Sequence, residues 1–298
     1  MQVSLAAEVP GYAQGKEPGR SGHHPRPGGA VGQCLIQDDA SDGLNFRLLR
    51  TTFFGGDQTF HSPRHCHAFP QVRFTERGSV NYAPGEDIGE GDICFFPRGA
   101  YYGPQRKEQG ISIALQYGFN GEHQEGPVWR QYRDEALRRL KARGRFEDGL
   151  YIEIDPGTGR ESRRDSVLAL HQEQYLMHTG EAFVYRPPVY EAPVLMHPDA
   201  FDYFPAAPGI EVRQLGRFFD HPGPNGDTGV LMMRLAGGAS WPLTADRAQI
   251  AWSLTAGLRA DGEAYPELAF VYSPRGEAAV LSADAELEIY LIELPRLD

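Results

Sequence analysis

The chain has 298 residues, which is long for one average domain and sufficient for two. Hydrophobic residues make up 41% of it and charged residues 23%, a globular balance that excludes a disordered or coiled-coil protein. The net charge of −11 makes the chain a poor partner for nucleic acid or for an anionic membrane surface.

The first part of the chain predicts a flexible start followed by a β domain. Residues 1–33 combine many Gly and Pro residues with few apolar anchors, so we expect them to form a flexible N-terminal segment. Over residues 34–120, short apolar runs alternate with turn residues, as in an antiparallel sandwich or small barrel. The predicted strands of this domain lie near 45–54, 66–75, 79–83, 92–96 and 111–117.

The pattern changes over 121–208 and then becomes β-like again. Residues 129–142 place apolar side chains on one helical face, and a second helix is predicted over 161–177. We expect 121–208 to be a partly helical connecting segment that could cover the first barrel with Tyr185 or Arg186. A second β domain is expected over 209–298. Its predicted strands lie near 210–219, 228–235, 249–255, 267–272 and 287–294.

The second β domain repeats features of the first one. Three stretches match in the same order and at nearly constant spacing, which indicates a duplicated domain. The matched stretches are 48–50 with 232–234, 71–75 with 249–253, and 95–99 with 271–276.

The cysteines and the N-terminus bear on the cellular compartment. Cys34, Cys66 and Cys94 show no CxxC spacing, and no basic start with an apolar core precedes them. No apolar run approaches the 18 or so residues that a membrane span needs. We therefore expect free thiols in a cytoplasmic protein without a membrane partner.

His65 and His67 form the most informative chemical pattern in the sequence. Residues two apart on a strand share a face, so both imidazoles would point one way and Cys66 the other. Two such imidazoles are half of a metal site, although they can equally line a barrel without metal. The same parity continues to Gln71 and Arg73 if no bulge intervenes.

This region resembles the cupin superfamily, whose first motif is G-x5-H-x-H-x3,4-E-x6-G. His65 and His67 occupy its two histidine positions, Gln71 takes the Glu position, and Gly78 follows after six residues. The string PRHCHAFPQVRF with the later FFPRGAYYGPQ looks like a group of bacterial two-domain cupins without a firmly assigned reaction.

The second cupin motif, G-x5-P-x-G-x2-H-x3-N, is matched in part. Gly91, Pro97 and Gly99 fit it, whereas Tyr102 takes the His position and Arg106 the final Asn position. The resemblance implies an all-β fold of two cupin-type jelly-roll β-barrels joined by a partly helical segment. It is good over residues 46–117 and extends to residues 210–298 only in framework.

The resemblance also implies a mononuclear metal in the N-terminal barrel. His65 and His67 would be ligands, with Gln71 and Tyr102 completing or flanking the site. Fe(II) is the expected divalent ion, with Mn, Ni or Zn as alternatives. A weakly ligated Fe(II) keeps positions open for substrate and O2, so the leading function is a dioxygenase-like cupin oxidoreductase acting on a small molecule.

Two other functions stay open. In a metal-free isomerase, epimerase or cyclase, His65 or His67 would be the general base and Tyr102 the general acid. Neutral Gln71 suits this case better, because no carboxylate remains to offset the charge of an ion. The protein could also be a small-molecule-binding cupin without catalysis.

The remaining expectations concern substrate contacts and assembly. The substrate would be oriented by pocket-lining polar groups, namely Arg73, Gln105, Tyr101 and Tyr82. The second barrel has residues around Thr244 and Asp246 where the first has its histidine pair, so we expect it to be structural and metal-free. We expect a homodimer, because cupins commonly pair.

Overall fold

A computed structural model describes residues 1–13, 28–38, 44–118, 131–221 and 223–296. These residues form two β-barrels with an α/β segment between them, which confirms the predicted all-β, two-barrel fold class. Neither helix in the described part is long and apolar enough to cross a membrane.

The strands of the first half are β1 Gln2–Leu5, β2 Tyr12–Ala13, β3 Ala30–Asp38, β4 Phe46–Phe53, β5 Phe60–Ser62, β6 Gln71–Ala83, β7 Glu86–Gly89, β8 Ile93–Phe96, β9 Gln105–Lys107 and β10 Gly110–Tyr117. The connecting segment contains helix α1 Arg133–Arg143, strands β11 Gly144–Glu147, β12 Leu150–Ile154 and β13 Glu161–Asp165, helix α2 Ser166–Thr179, and strand β14 Val194–Met196.

The strands of the second half are β15 Phe204–Ala207, β16 Ile210–Phe219, β17 Asp227–Leu235, β18 Ser240–Leu243, β19 Gln249–Trp252, β20 Leu258–Ala260, β21 Glu263–Ala264, β22 Ala269–Ser273, β23 Ala279–Ala283 and β24 Leu287–Glu293. Short 3₁₀ turns span Gly56–Gln58 and Pro198–Ala200.

Each barrel takes a strand from a distant part of the chain. The large sheet of the first barrel has the order β14-β8-β6-β10-β4-β3-β2, so the connecting segment supplies one of its edges. The large sheet of the second barrel has the order β1-β22-β19-β24-β17-β16-β15, so the first strand of the chain supplies one of its edges. Strand β1 therefore links the start of the chain to the second barrel, and β14 links the connecting segment to the first barrel.

Part of the segment that we expected to be flexible is ordered by the pairing of β1. Val3 lies opposite Val271 in the β1–β22 ladder, and Val3 packs on the core of the second barrel. Residues 14–27 lie outside the described part. Composition could not reveal β1, because its stability comes from backbone pairing with a strand some 270 residues later.

Aromatic residues fill the space between the two large sheets. Phe95 stacks on Phe218 with ring centroids 4.1 Å apart, and Phe74 lies 4.7 Å from Tyr290. One connected cluster of buried side chains spans both sheets. Because such rings bury large apolar areas, this inter-barrel core holds the barrels together as one unit.

Two predicted elements are divided differently in the structure. The predicted strands 66–75 and 79–83 are one long strand, β6, in which Gly78 has a φ of 74° beside a register shift. The sequence suggested a turn at Gly78, whereas the strand continues through it, and the register skips Glu76 two residues earlier as a bulge. The predicted helix over 161–177 is strand β13 in its first five residues and helix α2 in the rest. Helix α2 begins at Ser166 because Asp165 caps it, accepting hydrogen bonds from the backbone N–H groups of Val167 and Leu168.

The strand register supports the duplication. Gln71 lies opposite Gln116 and Phe96, and Gln249 lies opposite Glu293 and Ser273 in the same arrangement. Two of the three matched stretches, 71–75 with 249–253 and 95–99 with 271–276, thus occupy equivalent positions in the two barrels. The third is shifted by two residues, since the same register aligns the stretch 48–50 with 230–232.

Candidate active site

A cavity of about 150 Å³ lies inside the N-terminal barrel and beneath helix α2. Its polar lining consists of His65, His67, Gln71, Arg73, Gln105 and Lys107, together with Ser112, Gln116 and Thr51. Its apolar wall includes Leu49, Phe53, Phe60 and Phe69. Helix α2 adds Val167 and His171, so the connecting segment covers this cavity.

His65 is held rigidly by its backbone and by its ring. It forms a single antiparallel bridge with Tyr102, in which the backbone N–H of each residue donates to the carbonyl oxygen of the other. Its Nδ1 lies 2.7 Å from the carbonyl oxygen of Pro63 and 3.1 Å from the hydroxyl of Ser62. Because a carbonyl only accepts, Nδ1 is the donor, and in the neutral ring Nε2 carries the lone pair.

His67, two residues further along the chain, lines the same cavity. Its ring centroid lies 5.1 Å from that of His65, with the two planes nearly perpendicular. Its carbonyl accepts a hydrogen bond from the backbone N–H of Gly99 at 2.8 Å. The two imidazoles thus share the cavity, although the strand predicted to start at residue 66 begins only at Gln71.

Cys66 lies on the other side of the backbone, away from the cavity. It is buried next to Tyr101, and burial raises the pKa of its thiol to about 11. A thiol with such a pKa stays protonated at neutral pH, so Cys66 is a poor nucleophile.

Gln71 and Arg73 line the cavity and form a hydrogen-bond cluster with Tyr102, which is buried and is not itself among the lining residues. The Nη2 atom of Arg73 donates to the Tyr102 hydroxyl oxygen at 2.8 Å and to Gln71 Oε1 at 3.0 Å. Gln71 Nε2 also donates to the Tyr102 oxygen at 3.3 Å. The guanidinium carbon of Arg73 lies 4.1 Å from the ring centroid of Phe96. Gln71 and Tyr102 thus meet where the resemblance places metal ligands, but the oxygen of each accepts a hydrogen bond from the guanidinium of Arg73.

The other expected substrate contacts divide into two groups. Gln105 lines the cavity and donates to the carbonyl of Asn81 at 3.0 Å. Tyr82 is not among the lining residues; it packs on Phe96, and burial raises the pKa of its hydroxyl to about 12. Tyr101 is 45% exposed and lies beside Arg64 instead of in the cavity.

The residues of the connecting segment that meet the cavity also differ from the expectation. Tyr185 and Arg186 do not line it; the backbone of Arg186 lies against Gly99 instead. Val167 and His171 of α2 line it in their place.

Lys107 is a cavity residue that the sequence reasoning missed. It is only 8% exposed, and its Nζ lies 4.6 Å from the ring centroid of Phe53. It is two residues from Gln105 on strand β9, so both side chains share a face. Strand parity applied to Gln105 could therefore have found it.

The residues present do not fit a divalent metal ion. The described residues contain no group of three or more His, Cys, Asp or Glu side chains that could hold a metal. Gln71 Oε1 already accepts hydrogen bonds from Arg73 and from Gln116, and the Tyr102 oxygen accepts from Arg73. A cation bound by these atoms would lie next to a buried guanidinium charge, which opposes its binding.

The second barrel has no comparable site in its described residues. In the equivalent ladders, Arg73 and Leu49 lie on either side of Ala114, and Ala251 and Leu231 lie on either side of Leu291. Buried Leu, Met and Ala side chains fill the interior of the second barrel.

Comparisons with known proteins bear on the fold. No family model and no curated protein matches the chain. A candidate dioxygenase from Nostoc punctiforme is 10% identical, with 99% of this chain and 83% of that one covered and a TM-score of 0.62. Oxalate decarboxylase from Bacillus subtilis, in one variant, is 12% identical, with 99% and 78% covered and a TM-score of 0.52. These similarities show that the chain has the fold of two-barrel cupins.

Proposed function

We propose that the N-terminal barrel is the active site of a small-molecule enzyme that transfers protons without a metal, as isomerases, epimerases and cyclases do. The observation that carries this proposal is the arrangement of His65 and Tyr102, whose ring centroids lie 4.5 Å apart. An imidazole with a fixed tautomer beside a positioned phenol is a pair suited to general base and general acid roles.

Each group of the pair is prepared for its role by a neighbour. The bond from Nδ1 of His65 to the Pro63 carbonyl leaves Nε2 as the atom that accepts a proton. The Tyr102 oxygen accepts hydrogen bonds from Arg73 and Gln71, so its own proton is free to be donated. The guanidinium of Arg73 would then stabilise the phenolate that remains.

A metal-dependent oxygenase is the second candidate, and one observation favours it. A histidine that donates Nδ1–H to a carbonyl and offers Nε2 is the common arrangement of a metal ligand, and His67 lies beside it. Work on the oxalate decarboxylase relative names Mn(II) centres, and Fe(II) would serve a dioxygenase. We rank this candidate second because Arg73 occupies the oxygens of Gln71 and Tyr102.

Hydrogen–deuterium exchange in D2O separates the two candidates. Chelator-treated full-length protein would be incubated with a panel of small 2-oxo and 2-hydroxy acids and their amides, and carbon-bound hydrogens followed by proton NMR. We expect exchange on at least one compound, lost in His65→Gln and reduced in Tyr102→Phe. Tyr82→Phe is the matched control and should keep it. Turnover that needs added Fe(II) and consumes O2 would support the oxygenase instead.

A further inference from the structure

We infer that the cavity binds its substrate as a small carboxylate anion, with Arg73 as the anchoring cation. The inference names the substrate class of the site described above and so rests on the proposed function.

Arg73 carries a buried charge, and none of its hydrogen-bond partners among the described residues is acidic. Its side chain is only 6% exposed, and its hydrogen bonds go to the neutral side chains of Gln71 and Tyr102. Its Nη1 atom has no hydrogen-bond partner in the described part of the chain. Burying a guanidinium in this way is costly, and a planar carboxylate is the ligand that best matches its two parallel N–H groups.

The rest of the cavity has the same sign of charge. No Asp or Glu is found among the described residues that line it. Lys107 is a second buried cation on this lining. Since low-dielectric walls focus the field of such charges, the cavity attracts an anion.

The fold itself does not require a cation at this position. In the matching ladder of the second barrel, Ala251 stands opposite Leu291 as Arg73 stands opposite Ala114. Ala251 is fully buried in an apolar core. A barrel of this kind therefore packs well with an alanine at this position. This argues that Arg73 is present to bind a ligand and is not needed for the fold.

The size of the cavity limits the anion to a small molecule. A volume of about 150 Å³ is comparable to the engineered cavity that accepts benzene, so the ligand has roughly six to nine non-hydrogen atoms. Leu49, Phe53 and Phe69 supply an apolar wall to the same cavity. A monocarboxylate with a short aliphatic or aromatic body fits both features.

Thermal unfolding with paired ligands tests the inference on the metal-free, full-length chain. The probes are butyrate with butyramide, and benzoate with benzamide, so each pair has nearly the same shape and differs in charge. We expect a carboxylate to raise the melting temperature and its amide to have little effect. In Arg73→Met the affinity for the carboxylate should fall roughly 10- to 100-fold, as loss of a charged hydrogen bond implies. Arg106→Met is the control, because Arg106 is 66% exposed in the same region.

Arg73→Met also has a readout that a purely structural arginine would not give. Without ligand, it should unfold at a temperature equal to or above that of the wild type, because an uncompensated buried charge is removed. If Arg73→Met does not fold, Arg73→Lys is tested instead. This variant keeps the positive charge but lacks the two parallel N–H donors of the guanidinium, so it should bind the carboxylate at least about tenfold more weakly.

Several results would overturn the inference. They are equal effects of carboxylate and amide, no effect of either, or undiminished carboxylate binding in the folded Arg73 variant. The outcome is separable from that of the proposed function. Carboxylate binding without any deuterium exchange would remove only the proposed reaction, whereas exchange on neutral compounds without carboxylate binding would remove only this inference.

Discussion

The Nη2 atom of Arg73 donates a 2.8 Å hydrogen bond to the hydroxyl oxygen of Tyr102. In the cupin pattern, Tyr102 stands where a metal-binding histidine is usual. In this protein that position is a phenol whose oxygen is hydrogen-bonded to the permanent cation of Arg73. In the proposed function, this contact suits Tyr102 to proton donation instead of metal binding.

The first prediction concerns Tyr102→Phe, which removes the hydroxyl and keeps the ring. If Tyr102 is the general acid, turnover of a substrate found by the exchange screen should fall by roughly 10²- to 10⁴-fold. The affinity for the substrate should change little, because Arg73 keeps its charge. Steady-state kinetics with separate kcat and KM values checks this, and an unchanged kcat would exclude the acid role.

The second prediction uses the second barrel as a guide to fill the cavity. Ala114→Leu places at the first barrel the residue type that Leu291 provides at the equivalent ladder position. We expect carboxylate binding to be lost while the melting temperature stays within a few degrees of the wild type. Calorimetric titration and thermal unfolding would measure the two effects, and full retention of binding would place the ligand elsewhere.

The reciprocal substitution is the third prediction. Leu291→Ala removes a side chain that is 1% exposed in the packed interior of the second barrel. We expect unfolding to require about 2–5 kcal/mol less free energy, as for other large-to-small core changes. Carboxylate affinity in the first barrel should be unaffected. Urea unfolding measures the stability change, and a change below about 1 kcal/mol would contradict a tightly packed second barrel.

The fourth prediction concerns the pH dependence of stability at the inter-barrel boundary. His221 is 5% exposed, and burial, together with the nearby charges of Arg98 and Arg186, lowers the pKa of its ring to about 4. The unfolded chain has a histidine pKa of about 6.5, so it binds more protons below that pH. His221 therefore contributes stability that is present above pH 6.5 and is lost as pH falls towards 4.

The expected loss from His221 is about 2 kcal/mol between pH 7.5 and pH 5. Asp220 is adjacent, and burial raises the pKa of its carboxyl, so its contribution runs in the opposite direction at low pH. The measurement is urea unfolding at both pH values for the wild type and His221→Phe. The difference between the two proteins isolates His221, and an identical pH dependence in both would show that its ring does not titrate as described.

The sequence predicted much of the architecture because local periodicity and turn residues determine most of it. The strands near 45–54, 92–96, 111–117 and 210–219 are present with boundaries shifted by only a few residues. The fold class followed from these strands and from the cupin resemblance. Strand β1 could not be predicted, because a four-residue strand has no signal apart from its distant partner.

The candidate site was only partly predictable, for a similar reason. Strand parity gave the common orientation of His65 and His67, and it pointed to Gln71 and Arg73 as neighbours. It could not show that Arg73 donates hydrogen bonds to the oxygens of both Gln71 and Tyr102, because Tyr102 lies 29 residues further along the chain and outside the strand. The expectation of a metal came from motif positions, which say nothing about a competing cation beside them.

Metal content is the most direct test of the account. Untagged protein would be reconstituted with Fe(II), Mn, Ni and Zn in turn, freed of loose ions, and measured by elemental analysis beside the double variant His65→Ala/His67→Ala. We predict far less than one equivalent of any metal in both proteins. Near one equivalent in the wild type, lost in the variant, would contradict the account and favour the metal-dependent oxygenase.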